Sequence, residues 1–346
     1  MNLSSIPLSD PDISQAEIEA VKDVLQSPNL AGGPVVEEFE EAFAEYTGRG
    51  HAVALASGGI GLLLTLKAYA IGPGCEVIAS SYSWRETAHA IALAGARPVF
   101  ADIDYWAGTL LPAKAAAAVT EKTRAIVAGN TNGHPAPWAE LQPIAERNGL
   151  ILIEDSTEAI GSTYKGEITG SFGDCAIFDL SQPGPLSCGE GGMVVTDDAD
   201  IAATLRRLRG RRPDERGSVV IGMEAPYRAG ISDVTAALGL AQLRRIDEIL
   251  ARRKQVERWY FDHVKSFEGI KDPYIAPDVT AVHWFLYLVH LGTRFTRSSR
   301  DAIVEDLRTE RVGAAPYCRP LHTQRRYVDM GYRLSLIHIS PAADMR

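Results

Sequence analysis

The chain has 346 residues, a hydrophobic fraction of 46% and a formal net charge of -9. That length exceeds one typical core, so a large domain with a smaller one, or a single large α/β unit, is expected, and the composition is that of a folded globular protein. The acidic balance argues against wholesale nucleic-acid binding, although Arg206, Arg207, Arg209, Arg211 and Arg212 form a local basic cluster that reads either as a solvated helix end or as a contact for an anionic ligand or a second subunit.

Ser14 and Glu17 have capping-box spacing, and Ile18, Val21 and Leu25 follow at helical intervals, so a helix is expected to start there with those three on its apolar face. Pro34 opens a second helical stretch in which Val36, Phe39, Phe43 and Tyr46 share one face, ending near Gly48. Short apolar runs at 51–56, 77–79, 98–101, 125–128 and 150–153 then alternate with helical stretches of about ten to fifteen residues. This alternation predicts βαβ units and a mostly parallel sheet covered on both faces.

Residues 175–180 and 193–196 read as two further strands, separated by SQPGPLSCGEGG, too rich in Pro and Gly for helix or strand. From Ser232 one long helical pattern runs through Leu238, Leu243, Ile246 and Ile249 towards Tyr260, with a smaller α+β region beyond it. The expected division is a large domain over 1–247, N-terminal arm included, and a small domain over 248–346. The closing LSLIHISPAADMR, from about residue 334, has no turn or helix signal joining it to what precedes and reads as a foreign or frame-shifted tail, which makes the small domain look truncated.

Cys75, Cys175, Cys188 and Cys318 are far apart and match no metal spacing, so a reduced, cytoplasmic protein without a metal centre is expected. The opening MNLSSIPLSDPDIS has no basic or apolar signal segment, and no apolar run reaches about 18 residues, so neither export nor membrane insertion is expected.

Five features could carry chemistry. Ser57-Gly58-Gly59 stands between a strand and a helix, where free N–H groups and the helix dipole suit a phosphate, or where glycines merely make a tight turn. Asp155 ends the strand LILIE, where a carboxylate can face a bound heterocycle or cap a helix. Trp84 can stack on a planar ring or sit in the core. The glycines of Gly189-Glu190-Gly191-Gly192 imply a close backbone approach, and Tyr227-Arg228 precedes a helix in a position to reach another subunit.

Taken in order, these features resemble the DegT/StrS family, the fold-type I, pyridoxal-phosphate (PLP) dependent aminotransferases of nucleotide-linked keto sugars. The resemblance covers roughly residues 5–333 and rests on IPLSDPDIS, AGGPVVEEFEEAFAEYTG, HAVALASGG, GPGCEVIASSYSW, ARPVFADID, GHPAPW, LILIEDSTEAIGSTYKG, GSFGDCAIF, GEGGMVVTDD, SDVTAALGLAQL and YCRPLH. It implies an aspartate-aminotransferase-like large domain with a mixed, mostly parallel sheet, a smaller α+β domain, a homodimer, and a nucleotide-sugar substrate from polysaccharide or secondary-metabolite biosynthesis.

Carried over by position, the resemblance sets Asp155 at the pyridinium nitrogen, Trp84 on the ring, and Glu158 where the family usually has a glutamine. Ser57 and Gly58 keep the phosphate turn, but Gly59 stands where a Thr or Ser is usual. Asp179 replaces a serine phosphate ligand, and Arg228 replaces an asparagine that reaches over from the neighbouring subunit. Gly184 stands at the Schiff-base lysine. The eight lysines, at 22, 67, 114, 122, 165, 254, 265 and 271, leave none near that loop, and no histidine stands in it. Its nearest side chains with acid–base or nucleophilic capacity are Ser181, Ser187 and Cys188, and for each of them a buried structural role is the stronger reading. These departures work against ordinary transamination, the family's glutamate- or glutamine-dependent amination of a nucleotide-linked keto sugar, which stays one reading, and imply that any PLP is held without a covalent bond. The alternatives are a non-catalytic nucleotide-sugar-binding or scaffold subunit, or lysine-independent chemistry in the same pocket.

Overall fold

The computed structural model describes residues 5–181, 183–210, 227–267, 269–291 and 295–332. The tail from about 334, together with Arg211 and Arg212, lies outside these.

The chain enters through α1 (Gln15–Leu25) and α2 (Pro34–Thr47). The predicted capping box is present: Ser14 Oγ accepts from the Ala16 N–H, and the Glu17 carboxylate accepts from the Ser14 N–H at 2.6 Å. The predicted apolar face of α1 is wrong, because Ile18 and Leu25 are exposed while Glu17 and Val24 are buried. An ion pair turns the helix: Arg245 holds the Glu17 carboxylate at 2.5 Å, so a charged residue points inward. On α2 the expected face holds, with Val36, Phe39 and Phe43 buried and Pro34 in the first turn.

Strand and helix then alternate through β1 (His51–Leu55), α3 (Gly58–Ala68), β2 (Glu76–Ser80), α4 (Arg85–Leu93), β3 (Arg97–Ala101), α5 (Pro112–Ala117), β4 (Thr123–Gly129), α6 (Trp138–Asn148) and β5 (Ile151–Asp155). A small hairpin of β6 (Thr163–Tyr164) and β7 (Glu167–Ile168) leads to β8 (Cys175–Asp179), β9 (Gly192–Thr196) and α7 (Ala199–Arg209). The single long helix expected after Ser232 is two, α8 (Asp233–Arg244) and α9 (Ile246–Val264), broken at Arg245, the residue that pairs with Glu17. Beyond lie β10 (Ile270–Lys271), β11 (Val279–Ala281), β12 (His290–Leu291), α10 (Arg297–Thr309) and α11 (Arg325–Asp329).

Seven strands form the main sheet in the order β1-β9-β8-β5-β4-β2-β3. The pairs among β3, β2, β4, β5 and β8 are parallel, and β9 is antiparallel to both its neighbours. Val53, Leu55, Leu64, Leu66 and Ile91 fill one side of this sheet. Phe39, Phe43, Phe178, Ile126, Trp138 and Leu152 fill the other. Burying one such side chain contributes roughly 1.5–3 kcal/mol, so both faces resist exposure and the near-continuous apolar strands follow. The architecture is a mixed, mostly parallel large domain with a smaller C-terminal α+β region, consistent with PLP fold type I. No helix among the described residues is long and apolar enough to cross a membrane.

This topology sets the carboxyl ends of β1, β8 and β5 along one edge of the sheet, where an open α/β sheet binds ligands. The basic cluster is not a solvated helix end at two of its positions. Arg206 and Arg209 both turn inward to the buried carboxylate of Glu40 and to the carbonyls of Ala52 and Ala54, tying α7 to β1 and α2.

Candidate active site

Asp155 is the last residue of β5 and projects from that edge. Its carboxylate accepts from Thr87 Oγ1 and from the Thr157 N–H, both at 3.2 Å, and burial pushes its pKa up from the ordinary aspartate value. Three residues on, Glu158 is buried. It accepts from Trp84 Nε1 at 2.6 Å, from the Tyr317 hydroxyl at 2.6 and 2.5 Å on its two oxygens, and from the Asn132 N–H. Burial raises the Glu158 pKa to about 7, although its three donors pull the other way.

Trp84 is the N-cap of α4, 40% exposed, with its ring edge-on to Phe285 at 6.2 Å. It is therefore not a core residue; the bond to Glu158 fixes the indole while leaving ring surface open. Asn132 has φ of 52°, and its Oδ1 accepts from the Leu286 N–H at 3.0 Å, which joins the loop after β4 to the segment carrying Phe285.

At the other end of the edge, Ser57 caps α3, its Oγ accepting from the Ile60 N–H at 3.2 Å. Gly58 donates its N–H to Asp179 Oδ2 at 2.8 Å. The other carboxylate oxygen of Asp179 accepts from Ser181 N at 3.0 Å and from the Ser181 hydroxyl. Glycine is required here by crowding: a Cβ on Gly58 would lie 2.8 Å from Asp179 Cβ, and one on Gly192 would overlap the backbone of Ser57. Gly192 pairs with Leu55 on one side and Asp179 on the other, so the close approach foreseen for GEGG is made to the phosphate-type turn itself. Gly59 is roomier, its nearest neighbour for a Cβ being Glu86 Cβ at 3.4 Å.

Gly184 lies in the loop after β8. A Cβ there would make ordinary contacts with Leu186 O at 3.4 Å, Ser181 O at 3.5 Å and Phe285 at 3.8 Å. Cys188 is buried, and burial pushes its thiol up to about 12, which removes it as a nucleophile at neutral pH. Ser187 is buried too, its N–H bonded to Gln242, and Ser181 is committed to Asp179. Tyr227 and Arg228 are exposed, and Arg228 has φ of 52°. The structure thus joins Trp84 to Glu158, and Gly58 to Asp179, directly. It also reveals Thr87, Asn132, Phe285 and Tyr317 as partners not singled out from sequence. Only Tyr317 had a local signal, at the head of YCRPLH.

Residues 11–339 match the profile of the DegT/DnrJ/EryC1/StrS aminotransferase family. The chain belongs to that family. It is 35% identical over 339 residues to the spore coat polysaccharide biosynthesis protein SpsC of Bacillus subtilis (strain 168), spanning 95% of this chain and 87% of that protein. Among solved structures it is similar to S. venezuelae DesV in complex with a ketimine intermediate, with a TM-score of 0.88 and 30% identity over 96% of this chain and 90% of that one. It is also similar to Spr1654 of Streptococcus pneumoniae in its PLP form, with a TM-score of 0.87 and 25% identity over 95% and 88% of the two chains. A role among sugar aminotransferases of nucleotide-sugar biosynthesis follows at the level of the family, and PLP is the cofactor that membership leads one to expect.

Proposed function

We propose that this chain binds a nucleotide-linked sugar in polysaccharide or secondary-metabolite biosynthesis without carrying out ordinary transamination. The observation behind this reading is Gly184. The loop position matched to the family's Schiff-base lysine bears no amine, and no lysine lies between Lys165 and Lys254. The partners of Asp155, Glu158 and Asp179 among the described residues are hydroxyls, an indole and backbone N–H groups, with no lysine.

PLP fits half of what these residues build. Asp155, Trp84 and Glu158 suit a protonated planar heterocycle. Asp179 presents a carboxylate where the phosphate of that cofactor would rest, and Gly184 supplies nothing to bond its aldehyde. The complete cofactor therefore does not fit the site.

The direct test is calorimetric titration of the full chain with dTDP-, UDP- and GDP-linked sugars, alongside an amino-transfer assay with glutamate and glutamine. One nucleotide sugar is expected to bind with no amino transfer above the buffer rate; failure of all three to bind would end this reading. Arg228 is proposed to meet the ligand's diphosphate, as a guanidinium does bidentately, so Arg228→Ala should weaken that titration. A homodimer is proposed as well, supported by exposed Ile13, Ile18, Leu25 and Leu30 along the N-terminal arm, and sedimentation velocity checks it. A second reading, lysine-independent chemistry, draws on Glu158: a carboxyl that exchanges its proton near pH 7 is matched to general acid–base work.

A further inference from the structure

The N-terminus of α3 has little left to offer an anion. Of its first four N–H groups, that of Gly58 is spent on Asp179, that of Ile60 on Ser57 Oγ, and that of Gly61 on the Ser57 carbonyl at 2.9 Å. Only Gly59 N–H lacks a partner among the described residues. The Asp179 carboxylate is held on both oxygens, by Gly58 on one and by Ser181 on the other. The end of β8 lies so close to the turn that neither Gly58 nor Gly192 has room for a Cβ. A phosphate arriving there would meet the Gly59 N–H and the Ser57 hydroxyl as donors, but it would also meet the Asp179 carboxylate, with the carboxyl groups of Asp155 and Glu158 nearby.

We infer that Asp179 is a built-in anion occupying the place of the cofactor phosphate, and that it switches the ligand class of the cofactor position, as distinct from that of the nucleotide sugar, to an unphosphorylated heterocycle bearing a hydroxyl or amine. A hydroxyl or amine can donate to Asp179 where a phosphate can only repel it. The ring end stays suited to a planar base, since Trp84 keeps open surface and Asp155 can accept a ring N–H. This inference extends the mismatch with PLP and stands apart from the nucleotide-sugar reading, since its probes contain no nucleotide.

Pyridoxal and PLP share one ring and differ by the phosphate. Each is titrated by calorimetry into the full-length wild type, Asp179→Ser and Asp179→Asn, with melting curves to verify folding. The asparagine variant keeps the shape if serine loosens the turn. Wild type should bind pyridoxal about tenfold or more tighter than PLP, and loss of the charge should raise PLP affinity by at least about tenfold while moving pyridoxal by less than about threefold. The proposal is overturned if wild type prefers PLP, if neither compound binds it, or if the preference is the same in folded variants.

Discussion

The two ends of the candidate site are each organised around one carboxylate, and the contrast between them lies in what holds it. Glu158 takes its bonds from Trp84, Tyr317 and Asn132, three groups that converge from separate parts of the chain. Asp179 takes its bonds from the backbone of Gly58 and from Ser181, at a spot where a single added carbon would collide. One end is therefore tuned by protonation and the other by packing. Similar chemistry at two ends of one sheet edge gives an adjustable group in one place and a fixed one in the other.

The largest effect should come from breaking the packed end. Gly192→Ala forces a Cβ into the Ser57 backbone and should cost about 3 kcal/mol or more in denaturant unfolding, whereas Gly59→Ala in the same turn should stay within about 1 kcal/mol. Equal losses would mean that the turn is not held by close packing.

The adjustable end is probed by pH. The folded state raises the Glu158 pKa from 4.5 to about 7, so folding retains a proton there. The stability this group contributes is present below its unfolded value and is lost as pH rises towards 7. Glu158→Gln, always neutral, should match wild type near about pH 5 and exceed it by about 1–3 kcal/mol near about pH 8. Glu154, fully buried and also raised to about 7, keeps its own slope in both proteins, so the comparison is the difference between them. A difference independent of pH would assign the effect to shape instead of charge.

The smallest change is expected at Gly184. Because a Cβ there makes only ordinary contacts, Gly184→Ala should alter unfolding stability by less than about 1 kcal/mol. A large loss would show that the loop itself needs glycine.

Much of the framework was legible from local signals. Ser14 and Glu17 mark α1, Pro34 marks α2, and the strand runs predict the sheet, because capping and apolar periodicity act over a few residues. The failures were failures of long-range partners. Ile18 and Leu25 looked like a buried face until Arg245, more than two hundred residues away, drew Glu17 inward. Arg206 and Arg209 looked solvated until Glu40 was brought beside them. Trp84 could be core or ring platform until Glu158 fixed its edge.

The sequence by itself determined the family, the α/β order, and the absence of a lysine near position 184, since each is a matter of residue identity in chain order. Whether Asp179 would stand clear of the turn or close upon it was decided only by tertiary structure. That outcome depends on β1, β9 and β8 lying side by side with Gly192 between Leu55 and Asp179, a register no local pattern encodes.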